Sequence, residues 1–142
     1  MKIDIKLVDN TLPLPSYQTD GAVAFDLYSR IDMEVPAKSI GMIPLNVIIA
    51  TPPGFGLFIA SRSSTPKKKG LMCANGIGII DQDYRGKHDE INYLCYNFTD
   101  EKVLVERGER IAQGMFLPVE IAEFNQVEEM EYKNRGGFGT TG

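Results

Sequence analysis

Basic residues are in short supply. Fifteen lysines and arginines face nineteen aspartates and glutamates, for a formal net charge of −4. That balance excludes the broad positive field of a general nucleic-acid or anionic-membrane binder, so any anionic ligand must be met locally. Cysteine is scarce too: Cys73 and Cys95 form no CxxC pair and no zinc spacing. A reducing cytoplasm fits such usage, although a disulfide between the two stays open. No long apolar stretch is present, because the run over residues 40–50 is broken by Pro44 and Asn46, and no charged segment followed by an apolar one opens the chain. Nothing is therefore expected to span a membrane. There is no tryptophan and one histidine, His88, which reads as a solvated loop residue because no neighbouring motif requires it.

What remains is ordinary for a folded protein. The 142 residues are 43% hydrophobic and 24% charged, enough for one domain that buries roughly 70% of its unfolded surface. Short β segments separated by proline and glycine dominate. Ile3, Ile5 and Leu7 alternate with polar residues, and Pro13 and Pro15 end that run. Phe25-Asp26-Leu27-Tyr28 places an acid inside an apolar extended stretch, so Asp26 is either a satisfied structural acid or part of a site. Residues 40–50 read as one long β-branched strand and 55–60 as the next, with Pro52-Pro53-Gly54 as the turn between them. Residues 91–98, 103–105 and 109–117 follow as strands. Residues 119–132 carry apolar side chains three apart, as on a helix, yet begin with strand alternation, and are read as extended. The pattern divides into one β domain over residues 1–133 and a flexible glycine-rich arm over 134–142.

Three stretches carry candidate chemistry. The segment Ser61-Arg62-Ser63-Ser64-Thr65-Pro66 leads into three lysines, and its hydroxyls and guanidinium suit a phosphate at the start of a short helix. A solvated basic loop with an N-cap serine is the alternative. Residues 75–86 combine the turn pair Asn75-Gly76, the β-formers Ile77, Ile79 and Ile80, the acids Asp81 and Asp83, Tyr84 and Arg85. They predict a tight hairpin or bent strand with bare backbone at its glycines, and two carboxylates sharing a strand face. Two close acids suit base catalysis or work beside a metal; a polar surface hairpin is the alternative. Finally, Arg135, Phe138, Gly139, Thr140 and Thr141 on a glycine-rich backbone have the parts of a lid that closes over a ring and its phosphates.

Five stretches in chain order resemble the five motifs of the trimeric dUTP pyrophosphatases (dUTPases). They are Ala24-Phe25-Asp26-Leu27-Tyr28-Ser29, Arg62-Ser63-Ser64 with Lys69-Gly70-Leu71, residues 75–86, Gly108-Glu109-Arg110-Ile111-Ala112-Gln113, and Arg135-Gly136-Gly137-Phe138-Gly139-Thr140-Thr141-Gly142. The resemblance implies an all-β, jelly-roll-like barrel or sandwich, a homotrimer with shared active sites, and hydrolysis of dUTP to dUMP and pyrophosphate with Mg2+. It implies that Asp81 activates the attacking water and that Asn75 and the backbone at Ile79 and Ile80 read the uracil. Tyr84 would exclude a 2′-hydroxyl, while Arg62, Ser63, Ser64 and Gln113 meet the phosphates. Arg135, Phe138, Gly139 and Thr140 would close over the ligand, with Asp26 and Asp83 as supporting acids. No protein metal ligand is implied, since Mg2+ can be carried by the triphosphate and water.

The sequence departs from that pattern at three places. Ala24 stands where glycine is usual, Gly114 where a larger apolar residue is common, and residues 87–90 look like an insertion that leaves Asn92 as the residue closing the uracil pocket. Two other readings share the fold: a dCTP deaminase or bifunctional deaminase, which carries a catalytic glutamate near the position of Arg85, and a non-catalytic nucleotide-binding trimer.

Overall fold

The computed structural model describes residues 1–139. Its strands are β1 (Ile5–Leu7), β2 (Phe25–Tyr28), β3 (Met33–Val35), β4 (Ile40–Pro44), β5 (Val47–Ile49), β6 (Phe55–Ser61), β7 (Leu71–Cys73), β8 (Gly78–Ile80), β9 (Asn92–Asn97), β10 (Val103–Val105) and β11 (Arg110–Pro118), with helix α1 (Thr65–Lys69) between β6 and β7. The pairing is antiparallel throughout: β1 with β5, β3 with β10, a four-stranded sheet in the order β2-β11-β6-β8 and a three-stranded sheet in the order β4-β9-β7. These open sheets form a jelly roll, and none of them closes into a barrel among the described residues. No described helix is long and apolar enough to cross a membrane.

Alternation decides which side chains the sheets share. In β9, Tyr93, Cys95 and Asn97 point inward while Asn92, Leu94 and Tyr96 are half-buried. Tyr93 and Cys95 join Leu27, Ile43, Leu57, Ile59, Leu71 and Ile111 in one core cluster drawn from both larger sheets. Each such aliphatic side chain contributes about 1.5–3 kcal/mol by leaving water. Both cysteines are buried free thiols, opposite one another in the β7–β9 register.

Gly114 is explained by its neighbour across the sheet. A Cβ there would lie 2.7 Å from two ring atoms of Phe25, so the phenyl ring occupies the space that a larger residue at 114 would fill.

Three expectations are corrected. The single strand over residues 40–50 is two, because Asn46 turns the chain with φ 66°. Its amide side chain accepts the Asp9 N–H at 2.7 Å and donates to the Asp9 carbonyl at 3.0 Å, so β4 continues to β9 and β5 to β1. The Asn75-Gly76 hairpin does not form either: β7 pairs with β9 and β8 with β6, so this turn is a corner between two sheets. A two-residue type I′ hairpin needs positive φ at both central residues, and of this pair only Gly76 has it, at 76°. Residues 119–132 form neither helix nor paired strand. After Pro118, which has no N–H to extend the ladder, the Val119 N–H still reaches the Gly54 carbonyl at 3.0 Å, but Ile121, Phe124 and Met130 stand in solvent.

Candidate functional site

Strand β6 organises the chemistry, flanked by β11 on one side and β8 on the other. Its last residue, Ser61, is fixed by three bonds. The Oγ lies 2.7 Å from the Tyr93 hydroxyl and accepts the Cys73 N–H at 2.9 Å, and the Ser61 carbonyl accepts the Gln113 side-chain amide at 3.0 Å. Burial pushes the Tyr93 phenol up to about 12, so it stays a neutral partner. The chain then turns through Arg62, Ser63 and Ser64 into α1. Ser63 is exposed, and Ser64 occupies the N-cap position of the alternative reading, though its side chain makes no capping bond.

Asp26 holds this end of the sheet together. Its buried carboxylate accepts Arg62 Nε at 2.7 Å and Arg110 Nη1 at 3.1 Å. Arg62 Nη1 also donates to the Arg110 carbonyl at 3.1 Å, and Arg110 Nη1 to Gln18 Oε1 at 2.8 Å. Two guanidiniums on one carboxylate satisfy the buried acid and fix the plane of Arg62. Asp26 is thus a satisfied acid, and it orients Arg62. Nothing in the local sequence signals these pairings, because Arg110 lies 84 residues from Asp26 and 92 from Gln18. A hollow of about 160 Å³ beside the cluster is lined by Arg62, Ser64, Lys68, Lys69 and Arg110.

The second group lies along β8. This strand is the edge of its sheet, hydrogen-bonded to β6 through Gly78, Ile79 and Ile80, so its other backbone edge is free of ladder partners among the described residues. The Ile79 side chain is exposed and Ile80 half-buried. Asn75, at the corner before β8, accepts a hydrogen bond on Oδ1 from the Cys73 thiol at 3.1 Å. Asp81 follows β8 and opens a turn closed by the Tyr84 N–H on the Asp81 carbonyl at 3.2 Å. Asp81 and Asp83 are both exposed and sit in this turn, so they do not share a strand face as the spacing predicts. The turn is pinned to the start of β6 by Gln82 Nε2, which donates to the Phe55 carbonyl at 3.0 Å. A wide hollow of about 610 Å³ opens beside Asp81, between Phe58, Ile79 and Val119.

The apparent insertion at residues 87–90 is partly structural. Glu90 takes a bidentate pair from Arg30 at 2.7 and 2.9 Å and the Asn46 N–H at 2.9 Å. Its carbonyl accepts both the Tyr84 hydroxyl at 3.2 Å and Asn92 Nδ2 at 2.8 Å, so Tyr84 and Asn92 converge on one backbone oxygen. His88 is exposed, as expected of a loop residue.

One chain does not unite the two groups. The register Ile59↔Gly78 and Leu57↔Ile80 sets Asp81 level with Gly56, five residues from Ser61. At about 3.4 Å per residue the groups are roughly 17 Å apart along the strand. On the arm, Arg135 is exposed and Phe138 wholly so, with φ 51° at Phe138 and 89° at Gly139. Thr140 and Thr141 lie outside the described residues. The described side chains gather no cluster of three or more histidine, cysteine or acidic groups able to hold a metal ion.

Residues 10–142 match the family model described as dUTPase. The chain is 41% identical to a deoxyuridine 5'-triphosphate nucleotidohydrolase of Desulfitobacterium hafniense, over all of this chain and 97% of that protein. To the protein of the same name from Dictyoglomus turgidum it is 39% identical, over all of this chain and 99% of the other. The crystal structure of a dUTPase from Streptococcus mutans superposes with a TM-score of 0.77 at 32% identity, covering 84% of this chain and 98% of that one.

Proposed function

Since the chain belongs to the dUTPase family and hydrolyses dUTP to dUMP and pyrophosphate, we propose that it works as a homotrimer whose active sites each join the two groups from different subunits. The observation that carries this is their separation: Arg62 and Gln113 stand at one end of β6, and Asp81 beyond the other. Water, base and phosphate ligands must meet within hydrogen-bonding reach of one phosphorus, so another copy must supply the missing half.

In this reading the unpaired edge of β8 at Ile79 and Ile80, with the Asn75 amide, reads the uracil. Tyr84, its hydroxyl held on the Glu90 carbonyl, packs against the deoxyribose and leaves no room for a 2′-hydroxyl. Asp81 takes a proton from the attacking water as its oxygen bonds to phosphorus and the bond to pyrophosphate breaks. Arg62, held by Asp26, meets the phosphates with Ser63, Ser64 and Gln113. Those donors stabilise charge that develops on the non-bridging oxygens. Arg135, Phe138, Gly139 and Thr140 close over the nucleotide, and Asp83 supports the acid turn. A Mg2+ would be held by the triphosphate and water, with Asp81 the acid available to hold one of its waters; when bound, it would neutralise phosphate charge.

Mixed trimers test the sharing. Arg62→Ala and Asp81→Asn each remove one half, so each homotrimer should be nearly inactive. Unfolded and refolded together, they should regain a substantial fraction of wild-type pyrophosphate release through sites that draw both halves from intact chains. No recovery in trimers demonstrated to be mixed would place both residues in a site from one chain.

A further inference from the structure

The corner between the two larger sheets is built around the Cys73 sulfur. Cys73 is buried and fixed at both backbone ends: its N–H donates to Ser61 Oγ at 2.9 Å, and its carbonyl accepts the Gly76 N–H at 3.2 Å. The S–H donates to Asn75 Oδ1 at 3.1 Å. Burial pushes the thiol up from its ordinary value, so it remains a protonated donor at neutral pH.

The Asn75 amide therefore has a fixed sense. Its oxygen is taken by the thiol, and its Nδ2 group, which has no acceptor among the described residues, is left over on an exposed side chain at the corner before β8. An N–H2 group left over in this way donates to a carbonyl opposite it and is mismatched with an amino group, because two donors facing one another are both left unpaired. Uracil and cytosine differ at ring position 4 in this respect: one carries a carbonyl oxygen, the other an amino group.

Resting on the reading that Asn75 faces the base, we propose that Cys73 is a specificity-determining positioning residue, whose thiol locks the Asn75 amide with its donor left over for the base and so favours a 4-carbonyl pyrimidine over a 4-amino one. Without the lock the amide can turn over and offer its oxygen to the amino group. The thiol itself touches no substrate.

The test compares kcat/KM for dUTP and dCTP by pyrophosphate release, because their ratio cancels the fraction of enzyme that is folded. Cys73→Ala should lower the dUTP-to-dCTP ratio by about three- to tenfold, the worth of one hydrogen bond. Cys73→Ser keeps a donor at the same position and should retain most of the preference. An unchanged ratio in Cys73→Ala overturns the proposal, as does an equal fall in the alanine and serine variants. Asn75→Ala separates the two levels of inference: a ratio it does not move means that Asn75 does not face the base, whereas a ratio moved by Asn75→Ala and not by Cys73→Ala leaves that reading standing and removes only the thiol's part.

Discussion

Asp81 is exposed and its carboxylate has no side-chain partner among the described residues, which leaves it free to take a proton from water. Asp81→Asn should retain affinity for a non-hydrolysable dUTP analogue while turnover falls by about 10²–10⁴-fold, the range for loss of a general base. Asp83→Asn should lower turnover far less, and stopped-flow pyrophosphate release against titration calorimetry would separate the effects. Tyr84→Ala should raise UTP use relative to dUTP, read as the ratio of the two specificity constants. At this scale the sequence was most legible where a residue's own chemistry suffices: Arg62 beside two serines and an acid after a glycine-rich strand are visible without coordinates. It was opaque wherever a partner comes from far along the chain. Asp26 with Arg110, Glu90 with Arg30, and Tyr93 with Ser61 are pairings made by sheet register, which no local pattern encodes.

Strand propensity is legible in the sequence and strand partnership is not. Alternation and flanking turn residues locate β6, β9 and β11 nearly to their ends, since both act locally. The Asn75-Gly76 pair misled because a turn dipeptide reports a reversal of direction and says nothing about which sheet receives the outgoing strand. Residues 40–50 misled for a related reason: Asn46 tolerates positive φ, and only its bonds to Asp9 reveal that it is used. Another buried amide makes an element-scale prediction. Asn97, at the end of β9, donates to the carbonyls of Val35, Pro36 and Glu101 and accepts from the Thr99 N–H and hydroxyl. It joins β9 to the strand pair β3–β10. Asn97→Ala should lower stability by about 2–4 kcal/mol, because one buried and two partly buried carbonyls lose their donor at once. Urea unfolding at fixed protein concentration would measure it, and a shift below about 0.5 kcal/mol would mean that water replaces the amide.

At the scale of the molecule, the arm and the body should separate cleanly. Phe138 is wholly exposed, so deleting residues 135–142 should leave the melting temperature and the mass from light scattering, that of three chains, nearly unchanged while dUTP turnover collapses. Stacking of an aromatic ring on a base is worth about 1–3 kcal/mol. The chain contains no tryptophan, so Phe138→Trp would supply a sole indole whose fluorescence should change on adding the dUTP analogue with Mg2+; full activity in the truncated protein would remove the arm from the reaction. The free edge of β8 has a consequence of a different kind. An unpaired strand edge is also a place where a stray strand can add, and this one is short, which limits the hazard without abolishing it. A base lying along it would act as a stopper against such association. Concentrated protein held just below its melting temperature should therefore cloud more slowly with the nucleotide analogue than with inorganic pyrophosphate, which has no base to cover the edge.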